Sequence, residues 1–112
     1  MAKYERFLRS DPDSLLTSIT QGVLAGSLTA TLKDRSDFVL GDARCSVLVF
    51  ERYSMASSDR LSLNVTVFAI GTDVHLSAIT SGGGQSAFMA STLGEQTFLD
   101  SFRKVLASIP TD

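Results

Sequence analysis

The sequence predicts an α+β fold, a curved antiparallel β-sheet of about five strands with two helices, in the order β-α-β-β-β-β-α. Three observations carry this. Strict alternation runs through Leu61, Leu63, Val65, Val67 and Ala69, with Arg60, Ser62, Asn64, Thr66 and Phe68 between them, the period of a strand with one dry face. Two segments, near 12–25 and 93–109, instead place apolar residues at helical spacing. The stretches between successive extended segments are short and rich in turn residues, which suits hairpins rather than the long crossovers of a parallel sheet.

Taken in order, Tyr4 to Leu8 reads as a short edge strand. The first helix is announced by Asp11-Pro12-Asp13-Ser14: Asp11 can accept from free backbone amides, Pro12 has a preset φ at the first helical position, and Asp13 complements the positive helix end. Leu15, Leu16, Ile19 and Val23 form its apolar stripe, and Gly26 is the expected left-handed C-terminal residue. Leu28, Ala30 and Leu32 then alternate with Ser27, Thr29, Thr31 and Lys33 as a strand, and the polar stretch Lys33 to Asp37 reads as a turn. Phe38 to Leu40 and Ala43 to Tyr53 form the next extended segment, bent at Gly41-Asp42, and Ser54 to Asp59 is a loop. Gly71-Thr72-Asp73 turns the Arg60 to Ala69 strand into Val74 to Ser81. Gly82-Gly83-Gly84 breaks the run, with Gln85 to Ala90 continuing it past a kink. Thr92-Leu93-Gly94-Glu95 has the spacing of a capping box and opens the last helix, whose stripe is Phe98, Leu99, Phe102, Val105, Leu106 and Ile109 before Pro110 stops it.

Composition narrows the class of protein. The 112 residues are 44% hydrophobic and 20% charged, with 10 Lys plus Arg against 12 Asp plus Glu, a formal net charge of −2. That is too apolar and too balanced for a disordered chain, and a chain of this length buries about two-thirds of its surface without a staple. One cysteine, Cys45, forms no internal disulfide, and one histidine, His75, makes a zinc centre of the usual His/Cys kind implausible. MAKYERFLRSDPD has no apolar core of signal-peptide length, and no run reaches the length of a membrane span. The expectation is a single domain over 1–112 in the cytoplasm. Without a Lys/Arg block, neither nucleic acid nor an anionic membrane is an expected partner. No cofactor motif is present.

The order of elements resembles that of helix-grip proteins, shortened from the START and Bet v 1 lipid carriers, and that of TATA-binding-protein halves. Such a likeness concerns fold alone. The segments FERYS (Phe50 to Ser54), RLSLNVT (Arg60 to Thr66) and LSAITSGGGQ (Leu76 to Gln85), with the terminal FLDSFRKVL, resemble an uncharacterised family of small bacterial proteins carrying a domain of unknown function. The resemblance covers nearly the whole chain and implies a small cytoplasmic protein. It transfers no functional residue.

Few residues invite a chemical role. Gly82, Gly83 and Gly84 could line an anion-binding concavity, yet a phosphate loop needs G-x-x-x-x-G-K-[ST], and Gln-Ser-Ala-Phe-Met follows here, so a bend in the sheet is the simpler reading. His75 alternates with Ser77, Ile79 and Ser81 on the wet face and has no orienting acid in a motif. Cys45 alternates with Val47 and Val49, an apparently dry row, where a thiol is inert. Glu51-Arg52-Tyr53 with Arg44 and Arg60 forms a charged cluster that suits a small anionic ligand or, more plainly, cross-strand ion pairs.

The most informative feature is a mixed face. If Leu28, Val47, Leu63, Val65, Val67 and Leu76 point to the helices, then Leu48, Phe50, Phe68 and Ile79 share the other face with Ser62, Asn64, Thr66, His75 and Ser77. A partly apolar face of this kind is covered by a second copy, by the N-terminal strand, or by a helix closing over a ligand. A non-enzymatic assembly module, homodimeric through its sheet, is therefore expected, the alternative being a carrier of a small apolar ligand lined by Phe98 and Phe102.

Overall fold

A computed structural model describes residues 1–53, 59–82 and 88–111, and only the backbone of 88–93. Its elements are β1 (Ala2–Arg9), α1 (Pro12–Ala25), β2 (Thr31–Leu40), β3 (Ala43–Tyr53), β4 (Arg60–Ile70), β5 (Asp73–Gly82) and α2 (Phe88–Ala107). The five strands form an open antiparallel sheet in the order β1-β5-β4-β3-β2, so β4 is central and β1 and β2 are edges. This is the α+β order expected from the sequence.

α1 begins where its residues dictate. Asp11 has extended backbone angles and its Oδ2 accepts from Ser14 N at 2.9 Å, with Pro12 at the first helical position. Its C-terminus differs from expectation, because Gly26 is right-handed (φ −79°) and caps by donating its N–H to the carbonyls of Gly22 and Val23. Among the described residues the left-handed glycines are Gly41 and Gly71, each in a two-residue hairpin connection, where positive φ lets the chain reverse without a Cβ clash. Gly41-Asp42 is thus a hairpin turn between separate strands and not a bend within one.

The core lies between one face of the sheet and the two helices. Leu15, Leu16, Ile19 and Val23 of α1 and Phe98, Leu99, Phe102 and Leu106 of α2 are buried against Leu61, Leu63, Val65, Val67 and Ala69 of β4 and Val74, Leu76 and Ala78 of β5. β3 contributes Leu48 and Phe50, both wholly buried. Their expected place on the opposite face is therefore corrected: Leu48 pairs with Val65 and Phe50 with Leu63, and directly paired residues share a face. Val47 and Cys45, expected on the dry side, belong to the uncovered one.

Two other expectations change. The segment 33–37 is no turn: β2 is continuous from Thr31 to Leu40, with a register shift between Leu32 and Asp34 that absorbs Lys33 as a bulge. Leu28, expected in the core, precedes this strand and is fully exposed. α2 starts at Phe88, so the Phe88–Ala90 end of the expected strand continuation is helical and Thr92 lies inside the helix rather than at its cap. Gln85–Ala87 lies outside the described residues. Glu95, buried near the sheet, instead uses Oε1 to accept from Gly82 N at 2.8 Å and pairs through Oε2 with the Met1 ammonium.

Candidate functional site

With both helices on one side, no described residue outside the sheet covers its other face. Its composition follows from strand parity. The register aligns Phe7, His75, Phe68, Cys45 and Phe38 in one row across all five strands, from β1 through β5, β4 and β3 to β2. Phe7 is 78% exposed, Phe38 56% and Phe68 46%. The Phe7 ring stacks on His75 with centroids 4.2 Å apart, and Glu5 Oε2 lies 3.8 Å from His75 Nε2.

Neighbouring rows extend the patch. On one side stand Arg9, Asp73, Ile70, Ala43 and Leu40; on the other Glu5, Ser77, Thr66, Val47 and Ser36, and then Lys3, Ile79, Asn64, Val49 and Asp34. Ile70, Leu40 and Ile79 are all exposed. Charges here come in opposed pairs, Lys3 with Glu5 at 3.5 Å and Arg9 with Asp73 at 3.4 Å. The aromatic content would suit stacked bases, but this balance supplies no phosphate-binding footprint.

The candidates read from the sequence separate into three groups. Phe68 and Ile79 occupy this face as expected. Leu48 and Phe50 lie beneath it in the core, as does the stem of the charged cluster's Arg52, whose partner across the ladder is Leu61. Arg60 stands at the far end of the sheet, 3.7 Å from Glu51 and against the Tyr53 ring. Arg44 is removed from that cluster altogether: it lies at the opposite end of β3 and donates to Asp13 Oδ1 at 2.6 Å. Gly82 ends β5, where an added Cβ would lie 2.8 Å from Leu61 Cδ2, so its small size is set by packing. Gly83 and Gly84 lie outside the described residues.

Cys45 and His75 were expected on opposite faces, and they share one. Phe68 stands between them in the row, so they are two strand spacings, about 9.6 Å, apart and do not meet. Among the described residues no group of three or more His, Cys, Asp or Glu side chains could hold a metal ion, and no helix is long and apolar enough to cross a membrane.

Behind the sheet's uncovered face, on the helix side, a polar network ties β2 to β3. Arg35 holds both oxygens of Asp37, at 2.8 and 3.0 Å, and Ser46 Oγ donates to Asp37 Oδ1 at 2.6 Å. The Arg35 guanidinium, and then the Ser46 hydroxyl, hold the Asp37 carboxyl below its ordinary range, and Arg44 does the same for Asp13.

A family model matches residues 1–110 of the chain. The chain belongs to DUF6054, a family of unknown function. No curated protein and no solved structure matches it. Membership in DUF6054 agrees with the resemblance seen in the sequence and assigns no role to any residue, so the functional reading rests on the geometry of the open face.

Proposed function

We propose that this protein is a non-enzymatic assembly module that forms a homodimer by stacking the open faces of two sheets. The observation that carries the reading is self-complementarity about β4. A two-fold axis running along β4 brings β1 of one copy over β2 of the other and β5 over β3. Under that operation Phe68 meets Phe68, Phe7 meets Phe38, Ile79 meets Val49, and Lys3 meets Asp34. In these rows apolar groups fall on apolar groups and a cation on an anion, while in the outermost row Arg9 meets Leu40 and Asp73 meets Ala43.

The area suffices. Five strands about 4.8 Å apart and four same-face rows about 6.8 Å apart give on the order of 600 Å² per copy. The roughly 1,200 Å² total is the lower bound of stable interfaces. Left in water, the same apolar surface is unfavourable by about 25 cal/mol per Å².

A ligand carrier of the helix-grip type fits the order of elements better than it fits the interior. The crevice lined by Phe98 and Phe102 has a volume of about 30 Å³, room for one or two waters, against the roughly 300 Å³ that a small ligand requires.

Sedimentation equilibrium tests the dimer. The parent should weigh two chains, and Phe68→Glu should weigh one while keeping its circular dichroism, because the new charge is desolvated only in the assembly. A parent that stays monomeric at millimolar concentration overturns the reading.

A further inference from the structure

His75 and Glu5 stand on the same open face with an unmade contact between them. Phe7 and His75 are directly opposed across β1 and β5, and their rings stack 4.2 Å apart, so the two side chains project from the sheet alongside one another. Glu5, one row along on β1, brings Oε2 to 3.8 Å from His75 Nε2, while its other oxygen, Oε1, lies 3.5 Å from the Lys3 ammonium. The nitrogen and oxygen are too far apart for a hydrogen bond. Their separation is close to that of two ligands on one tetrahedral zinc ion, which at bond lengths of about 2.0 to 2.1 Å stand about 3.4 Å apart.

Within one chain nothing completes the pair: among the described residues no three His, Cys, Asp or Glu side chains could hold a metal ion. The third ligand comes from the two-fold relation proposed above, on which this inference rests. That relation carries β3 of one copy over β5 of the other without leaving the row, so the partner's Cys45 lies over His75. Stacked sheets are about 10 Å apart, a gap that an imidazole and a thiol pointing at each other fill once an ion sits between them. The single histidine and single cysteine that argue against a zinc centre in one chain become two of each in the dimer, one pair on either side of the Phe68 contact.

We propose that the dimer binds a zinc ion at each of these two equivalent places, held by His75 Nε2 and Glu5 Oε2 of one copy and the thiolate of the other. A thiolate, an imidazole and a carboxylate are the donors zinc takes, and three protein ligands leave a fourth position for water. Binding releases the thiol proton to solvent, after which thiolate and carboxylate balance the divalent charge, so no net charge is left in the aromatic row. Lys3 on Oε1 aims the carboxylate, as an outer-shell partner of a metal ligand does. The ion ties the two copies together.

Titration of the metal-free full chain with cobalt(II) tests this, because a cobalt–thiolate bond gives an intense near-ultraviolet absorption that nitrogen and oxygen ligands do not. One cobalt per chain with that absorption is expected, zinc should displace it, and zinc should lower the dimer dissociation constant at least tenfold in sedimentation experiments. Cys45→Ser and His75→Gln should each remove the absorption and the zinc effect while still forming the metal-free dimer. The monomeric Phe68→Glu chain should lack the absorption too, since the ligands belong to two copies. Should Cys45→Ser fail to fold by circular dichroism, His75→Gln, which is partly exposed, must show the loss instead. A dimeric parent without the thiolate absorption, folded ligand variants that keep it, or a Phe68→Glu monomer that keeps it overturns the zinc site and leaves the dimer standing. A parent that is monomeric with and without zinc overturns both.

Discussion

Gly22 of α1 and Val105 of α2 meet where the helices cross, and the absence of a side chain at Gly22 is what allows the contact: a Cβ built there overlaps Val105 Cγ1. Glycine is otherwise a poor residue three-quarters along a helix. Its presence at this position is therefore a packing requirement of the helix pair.

Gly22→Ala should consequently destabilise the fold by about 1 to 3 kcal/mol through overpacking, less the roughly 1 kcal/mol of intrinsic helix preference that alanine contributes. Adding Val105→Ala should recover most of the loss. Urea denaturation midpoints of the parent and the two variants measure this, and a single Gly22→Ala variant more stable than its parent would refute the close crossing.

Two phenylalanines whose rows lie five strand residues apart should respond oppositely to charge. Phe50 is wholly buried under the helices and Phe68 is 46% exposed on the open face. Phe50→Arg should abolish cooperative unfolding, whereas Phe68→Glu should leave it intact and alter only the mass in solution. Truncating Phe102, buried on α2, to alanine should cost about 3 to 5 kcal/mol. Thermal melts followed by circular dichroism separate these outcomes.

The proposed two-fold axis is tested by charge reversal. Lys3→Glu and Asp34→Lys should each weaken the dimer several-fold by placing like charges across the interface, and the double variant should restore it. Dissociation constants from analytical ultracentrifugation give the coupling. Additive effects in the double variant would rule out this orientation of the two sheets.

Acid should loosen the β2–β3 network. The carboxyls of Asp37 and Asp13 are held below the ordinary carboxylate range, chiefly through hydrogen bonds from Arg35 and Arg44. A depressed folded-state pKa contributes stability that is present above the unfolded value and lost as pH falls through the folded one. Stability should therefore decline below about pH 4, and Asp37→Asn should decline less over that interval. Both groups are exposed, so the effect is small and screened by salt. Melting temperatures between about pH 5 and pH 2.5 show whether the two curves converge.

The residues alone determined the two helices, the central strand β4, the hairpin at Gly71-Thr72 and the antiparallel meander, because each of these is written in a local period. Leu61 to Ala69 alternates cleanly, and the Phe98, Leu99, Phe102 and Leu106 stripe has only one apolar side. β3 carries no such information. Val47, Leu48, Val49 and Phe50 are apolar at both parities, so no pattern within the strand says which pair is dry. The ladder to β4 decides it by setting Leu48 against Val65 and Phe50 against Leu63. β2 was hidden for a different reason: Lys33 to Asp37 is as polar as a turn, and it is strand only because β3 supplies its hydrogen bonds, Asp37 finds Arg35 and Ser46, and a bulge takes up Lys33. The capping-box spacing at Thr92 and Glu95 likewise yielded to a longer-range need, the Gly82 amide that Glu95 satisfies across 13 residues of chain. The aromatic row of Phe7, Phe68 and Phe38 came from three strands distant in sequence, and only pairing of the whole sheet could bring them onto one face.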